Sequence, residues 1–201
     1  MNWSATIRYG LEPAPGGLAF VQDLLNTISA GKPRQPDLLT TADDASEWIE
    51  HAVANWSGET NRPAPDVSLG RGDLDELRTL RRDLRLLVQS PDRGTAAPQT
   101  SAASVLASPV TLHLDEHGHI RAEPRGTGWR RVASLTLIEV FEAQRADTWR
   151  RLKVCRNHRC EAAFYDRSRN NSGVWHDVRI CGNAANLRNY RARKRAASSP
   201  A

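Results

Sequence analysis

Residues 155–195 read CRNHRCEAAFYDRSRNNSGVWHDVRICGNAANLRNYRARKR and hold all three cysteines of the chain. The spacing is Cys155-x4-Cys160, then fifteen residues, then His176-x4-Cys181. Two pairs of soft donors separated by a hairpin-sized segment suit one tetrahedral zinc ion. A basic, helix-like segment follows the fourth donor. A metal-stapled module that carries a cationic helix reads first as a nucleic-acid binder.

Other readings compete. Three cysteines can be ordinary buried thiols. A disulfide is disfavoured, because nothing marks the chain as secreted. His158 lies inside the first pair and is a second candidate for the histidine ligand. His176 is preferred, because His176-x4-Cys181 repeats the Cys155-x4-Cys160 step.

Cys155-x4-Cys160, Phe164, Asp166, Ser168-Arg169-Asn170, Trp175-His176 and Cys181-Gly182-Asn183, with the arginine-rich end, resemble the CGNR zinc finger. That finger closes bacterial proteins whose N-terminal part is the ABATE domain, assigned to stress-induced transcription regulation. Phe20-Val21-Gln22-Asp23-Leu24-Leu25-Asn26-Thr27 is similar to the opening of ABATE domains. The family usually has cysteine where this chain has His176, and arginine where it has Ala184. The first change keeps a ligand. The second removes the arginine that names the motif. The resemblance implies one structural zinc and a regulator that binds DNA.

The net charge of +5 hides a split. Residues 151–195 hold twelve Lys and Arg against three Asp and Glu, a balance of +9, which leaves −4 for the rest. A cationic small module beside a mildly acidic larger one points to a polyanion engaged at one end. No stretch has the length and apolarity of a transmembrane helix, and the start lacks a signal-peptide pattern. The expectation is a cytoplasmic protein with no membrane partner.

The expected fold is mainly α, with minor β. Residues 1–150 form a helical, ABATE-like domain with one β-hairpin. Residues 151–201 form the zinc finger, its basic helix and a disordered end at Ser198-Ser199-Pro200-Ala201. Residues 1–16 read as an extended lead-in. Helices are expected over 17–30, from Thr41 to about the Gly58 region, over 73–89 and over 132–149. Thr41 and Asp44 have capping-box spacing. Leu74, Leu77, Leu80, Leu84, Leu87 and Val88 make the buried face of the third helix. Arg78, Arg81, Arg82 and Arg85 read as solvated surface. A short helix over 101–107 is possible by composition. Val110 to Glu123 alternates around Glu116-His117-Gly118 and reads as a hairpin. Its His113, His117 and His119 read as polar surface and not as a second metal site. Val132, Leu135, Ile138 and Phe141 line the last helix, and a strand leads into Cys155.

Four filled ligand positions make the zinc site closed, hence structural. Phe164 and Trp175 are expected to pack over it. Arg167, Arg169 and Asn170 sit where they can reach phosphate. Asn183 is a good N-cap for the last helix. Leu187 and Tyr190 would face inward, and Arg188, Arg191, Arg193, Lys194 and Arg195 outward. Asn183 and Asn186 could face DNA, Asn186 and Asn189 could read base edges, and Arg188 could stand in for the arginine absent at Ala184.

The first functional reading is a regulator of transcription that binds double-stranded DNA. Its N-terminal domain would sense a small molecule or form a homodimer. RNA binding ranks lower, because only Tyr165 and Tyr190 offer stacking surfaces. A zinc-stabilised module for an acidic protein partner is a further alternative. The chain shows no phosphate loop, nucleophile elbow or metalloprotease helix, so an enzyme is not expected.

Overall fold

The computed structural model describes residues 3–31, 33–90, 106–184, 186, 187, 190, 191 and 194. Its elements run α1 (Ser4–Ile7), α2 (Leu18–Asn26), α3 (Ala42–Thr60), α4 (Asp73–Gln89), β1 (Val110–Leu114), β2 (Ile120–Pro124) and α5 (Trp129–Arg145). A 3-10 turn (Trp149–Arg151), β3 (Leu152–Val154), β4 (Ala163–Tyr165) and a π-helical turn (Val178–Gly182) follow. The chain is mainly helical, as expected, with two small antiparallel strand pairs, β1–β2 and β3–β4.

Helix α2 is the axle of the fold. Every one of its nine residues is buried, including Gln22, Asp23 and Asn26. An amphipathic surface helix would leave such residues in water. Here each one is spent on a backbone or ring donor instead. Asp23 accepts the Thr6 N–H at 2.8 Å and the Trp48 ring N–H at 2.9 Å. Burial still pushes its pKa up. The Gln22 side-chain oxygen takes the Ala14 N–H.

These bonds explain why the described residues of that stretch, 3–16, are not an extended lead-in. Trp3, Ala5 and Thr6 are buried, and α1 is fastened onto α2 through Asp23.

Helix α3 follows its sequence pattern closely. The Thr41 hydroxyl accepts the Asp44 N–H at 3.1 Å and caps the first turn. Ala45, Trp48, Ile49, Ala52, Val53 and Trp56 form its buried face. It runs past Gly58 and stops where Asn61 takes a left-handed conformation, which asparagine tolerates better than most residues.

Helix α4 keeps its expected bounds but not its expected surface. Arg81 and Arg85 are buried beside Leu77, Leu80, Leu84 and Val88, while Leu87 is about half exposed. Arg81 forms a two-pronged pair with Asp37 at 2.7 Å per prong and also donates to Thr27. Arg85 donates to the carbonyls of Leu25 and Glu161. Planar, bidentate pairing lets a guanidinium enter an interior that would reject an unpaired charge.

Helix α5 buries Val132, Leu135 and Ile138, but Phe141 points outward at 55% exposure. Its start is set by Gly128, at φ +55°, with the Asp73 carboxylate only 2.4 Å from where a Cβ would stand. Asp73 in turn accepts the Trp129 N–H at 3.2 Å. On the hairpin, Leu112, Leu114 and Ile120 are exposed, so its alternation does not face the core. His113, His117 and His119 are exposed there too. The helix considered over 101–107 lies mostly outside the described residues, and Leu106 and Ala107 have no regular structure.

Leu152, Val154 and Ala163 belong to the same apolar core as α2, α3, α4 and α5. The short β3–β4 pair is therefore built onto the helical part of the chain. Among the described residues no helix is long and apolar enough to cross a membrane.

Candidate metal centre

Strand β3 delivers Cys155 into the site, its N–H bonded to Ala162 O at 2.9 Å. The chain then turns tightly. The Asn157 carbonyl accepts the N–H of Cys160 at 2.7 Å and of Glu161 at 3.0 Å, which swings Cys160 back beside Cys155. Glu161 has a φ of +60° at this corner. Strand β4 carries Phe164 and Tyr165 away, and residues 166–173 form a loop.

That loop is ordered by Asp166, which is buried. It accepts Lys153 Nζ at 2.6 Å, Ser168 N–H at 2.9 Å and Gly173 N–H at 2.6 Å. Burial opposes its charge, but Lys153 and the two backbone donors outweigh that cost and hold its pKa at about 2. The loop returns the chain to Val174, whose carbonyl bonds Arg156 N–H at 3.1 Å, and so brings His176 over the cysteine knuckle. The π-helical turn supplies Cys181. Asp177 caps this turn by accepting the Ile180 N–H at 2.8 Å. Asn183 already has right-handed helical angles, so it is not the N-cap expected from sequence. The cap is Asp177, because the helical winding begins at Val178, five residues earlier.

The ligand atoms of Cys155, Cys160, His176 and Cys181 all lie within 4.8 Å of one another. His176 Nδ1 is 3.2 Å from Cys160 Sγ and 3.6 Å from Cys181 Sγ. Zinc bonds of about 2.3 Å to sulfur and about 2.0–2.1 Å to nitrogen give tetrahedral edges of roughly 3.5–3.8 Å. The set therefore fits zinc in size and donor chemistry. His158 is exposed and stands outside this group.

The electrostatics agree. Three sulfurs this close compete for one charge. Hydrogen bonds from the Cys160 thiol and from His176 draw the Cys155 pKa down to about 4. The same contact with Cys155 pushes Cys160 up, and burial pushes Cys181 up. A divalent cation removes the conflict by binding all three as thiolates. With every position filled by protein, the site is structural. Cys155, Cys160, His176 and Cys181 hold one structural zinc ion.

Around the ligands lies a small apolar cluster of Ala162 and Phe164, with Trp175, Tyr9 and Leu11 packed on it. Phe164 and Trp175 fill the role expected of them. Tyr9 and Leu11 could not be foreseen, because nothing in their local sequence points to a partner some 150 residues away.

The knuckle is also docked on the helical part. Cys160 O accepts Gly31 N–H at 2.8 Å, and Glu161 O accepts Arg85 at 2.7 Å. Ala163 bonds Asn26 through both its backbone groups.

The basic residues singled out from sequence fall in several places. Arg167 pairs with Glu12 at 2.9 Å, donates to Pro13 O at 2.7 Å and lies over the Tyr165 ring. Arg169 and Asn170 are exposed on the loop. Asn183, Asn186, Arg191 and Lys194 are exposed and have helical backbone. Leu187 and Tyr190 are about half exposed, so they do not form the inward face expected of them. Described protein does not cover that side of the segment. Arg188, Asn189, Arg193, Arg195 and the last residues lie outside the described set.

A helical body carrying a closed three-cysteine, one-histidine finger defines a zinc-finger protein. Residues 151–194 match the CGNR zinc finger, and residues 18–149 match ABATE, described as "Putative stress-induced transcription regulator". The chain belongs to the ABATE family. No curated protein matches it.

Proposed function

We propose that the protein is a DNA-binding transcription regulator, with the finger, residues 151–201, as its DNA-docking part. The supporting observation is the two-sidedness of the finger. One side, Cys160 to Ala163, is sealed against the helical part by hydrogen bonds between its backbone and Gly31 N–H, the Asn26 side chain of α2 and the Arg85 side chain of α4. The other, from Val178 onward, presents Arg179, Asn183, Asn186, Arg191 and Lys194 to solvent. The rest of its positive charge, Arg188, Arg193 and Arg195, follows in the same stretch. Phosphate contacts would give affinity without sequence choice, and asparagines can read base edges.

On this reading the basic segment is a helix lying along or in a DNA groove. The domain over residues 1–150 receives the signal, through a small molecule or a second copy of the chain. The protein is not an enzyme and works in the cytoplasm. Fluorescence anisotropy with labelled duplex DNA across a salt series tests this. The expected result is tight binding at low salt, falling linearly in log–log form, with the slope counting phosphate contacts. Arg191→Ala and Arg188→Ala should each reduce that slope by about one. Absence of any binding by zinc-loaded protein would overturn the reading.

Val178 and Ile180, both more than half exposed on the π-helical turn, favour a second reading. In it the finger is a zinc-stabilised surface for an acidic, partly apolar protein partner. That reading expects no nucleic-acid affinity, whereas RNA binding would show as preference for RNA over duplex DNA in competition.

A further inference from the structure

Strands β1 and β2 form an arm held to α5 at its base by one hydroxyl. Ser134 accepts the Arg125 N–H at 3.1 Å and donates to Pro109 O at 2.7 Å. Opposed residues of an antiparallel pair share a face. The register opposes Leu114 to Ile120, Leu112 to Ala122 and Val110 to Pro124. One face of the arm is therefore wholly apolar, and Leu112, Leu114 and Ile120 on it are 66%, 72% and 68% exposed. The other face carries Thr111, His113, Arg121 and Glu123, with His113 Nε2 2.7 Å from Glu123 Oε2.

The edge of β1 is open as well. Among the described residues β2 is its only strand neighbour. The turn decides which backbone groups face outward. Asp115 N–H bonds His119 O at 3.0 Å, which makes 115–119 a bonded pair. Bonded and non-bonded pairs alternate along an antiparallel ladder. Val110, Leu112 and Leu114 therefore aim their N–H and C=O groups away from β2. On β2 the outward positions are Ile120, Ala122 and Pro124, and proline has no N–H to offer. Sheet edges are commonly blunted by a charge or a proline. The three outward positions of β1 carry neither. The chain outside the described residues offers little cover. Residues 91–105 lead into the arm with Val105 as their one large apolar side chain, and residues 195–201 have none.

We propose that the arm is a dimerisation element and that a second copy of the chain covers it. Strand β1 pairs with β1 of the second copy, antiparallel, about a two-fold axis at Leu112. A two-fold contact must be self-complementary, and this register is. Leu112 meets the same residue of the second copy, and Val110 meets Leu114. Every outward backbone group then finds its counterpart, and each of these opposed pairs is apolar. On the other face Thr111 meets His113. Both hairpins merge into one sheet, in the order β2–β1–β1–β2, with the apolar side chains of both copies on one face. Three or more strands with an apolar face are stable where two alone are marginal.

The inference deepens the second-copy alternative given above for residues 1–150 and requires no DNA binding. Sedimentation velocity of zinc-loaded, full-length protein without DNA, over a range of concentrations, tests it. The expected result is a reversible monomer–dimer equilibrium. Leu112→Lys sets two like charges against each other at the axis and should raise the dissociation constant by about tenfold or more. Circular dichroism should show unchanged helix content, because the side chain is exposed. Leu112→Cys, oxidised, should run as a linked dimer on a non-reducing gel, since the chain's own cysteines are buried. His113→Cys, on the opposite face, should not link.

A protein that stays monomeric at every concentration overturns the proposal and hands the apolar face to a different protein. A dimer that Leu112→Lys leaves intact, or that links as readily at position 113 as at 112, overturns it too. Should Leu112→Lys lose helix content, the cysteine pair decides alone. None of these outcomes alters the DNA measurement, so the two readings fail separately.

Discussion

The side-chain amide of Asn26 pairs with both backbone groups of Ala163. Ala163 N–H donates to Oδ1 at 2.8 Å, and Nδ2 donates to Ala163 O at 2.9 Å. A residue of α2 thus behaves as a short extra strand on the edge of β4, 137 positions later in the chain. Ala163 stands three residues after the zinc ligand Cys160. Metal binding and helix packing therefore share a structural element.

The first prediction follows. The protein should unfold in one transition, with zinc removal lowering its midpoint throughout. Five of the six tryptophans precede Cys155, and Trp175 alone lies in the finger. Fluorescence from the helical core should therefore respond to a chelator. Asn26→Ala should cost about 3 kcal/mol, because buried partners on Ala163 lose their hydrogen bonds. A core that melts at the same temperature with and without zinc would refute the coupling.

Arg85 makes a second bridge, from α4 to both sides of the same junction. It donates to Leu25 O at 3.1 Å and to Glu161 O at 2.7 Å. Burial lowers its pKa, with Glu161 partly restoring it. Arg85→Met keeps most of the apolar stem and leaves two carbonyls unpaired. The expected loss is about 2–3 kcal/mol in urea unfolding. Zinc should also leave faster to a chelator, because Glu161 adjoins Cys160. An unchanged rate of zinc loss would confine Arg85 to helix packing.

Arg85 also marks where reading the sequence stops. Local rules suffice where both partners are close in the chain. Thr41 and Asp44 declare a helix start, Trp48, Ile49, Ala52 and Trp56 declare its face, and each cysteine pair declares a ligand pair. On α4 the same rules suggested surface for Arg81 and Arg85, because Asp73, Asp75, Glu76 and Asp83 offered nearby charges. The real partners, Asp37 and Glu161 O, lie 44 and 76 positions away. The same holds for the burial of Asp23 and Asn26, and for Trp3 and Tyr9. Phe141 errs the other way. Its three-residue step from Ile138 suggested the buried stripe of α5, but that stripe continues through Glu139 and Ala143 and leaves Phe141 on the exposed side.

The Asp166–Lys153 pair yields a prediction in pH. The Asp166 pKa is depressed from 3.8 to about 2 in the folded state. Folded protein therefore holds this carboxylate ionised where unfolded chain would protonate it. The contribution is present above about pH 4 and is lost as pH falls through 2. Asp166→Asn removes the charge that holds Lys153 and should cost about 3 kcal/mol at pH 7. Its penalty should shrink between pH 4 and 2. Chemical unfolding of metal-free wild-type and variant protein across that range checks it. A penalty independent of pH would mean that shape, and not charge, orders the loop.

The fourth prediction concerns the ligand that departs from the family pattern. His176 reaches the site through Nδ1, the ring nitrogen nearer the backbone. Nδ1 lies only one bond further from the main chain than a cysteine Sγ would. His176→Cys should therefore keep one zinc per chain, with small shifts of the loop taking up the difference. The site would gain a fourth thiolate and one more negative charge. In the cobalt form the sulfur-to-metal absorption should strengthen, as a fourth sulfur joins the metal. His176→Ala should instead open a ligand position, lower zinc affinity and, through Ala163 and Asn26, lower the midpoint of the whole chain. Metal content after gel filtration, read beside the melting curve, decides the matter. A His176→Cys protein that emerges without zinc would show that this backbone is shaped for imidazole and not interchangeable with the all-cysteine form.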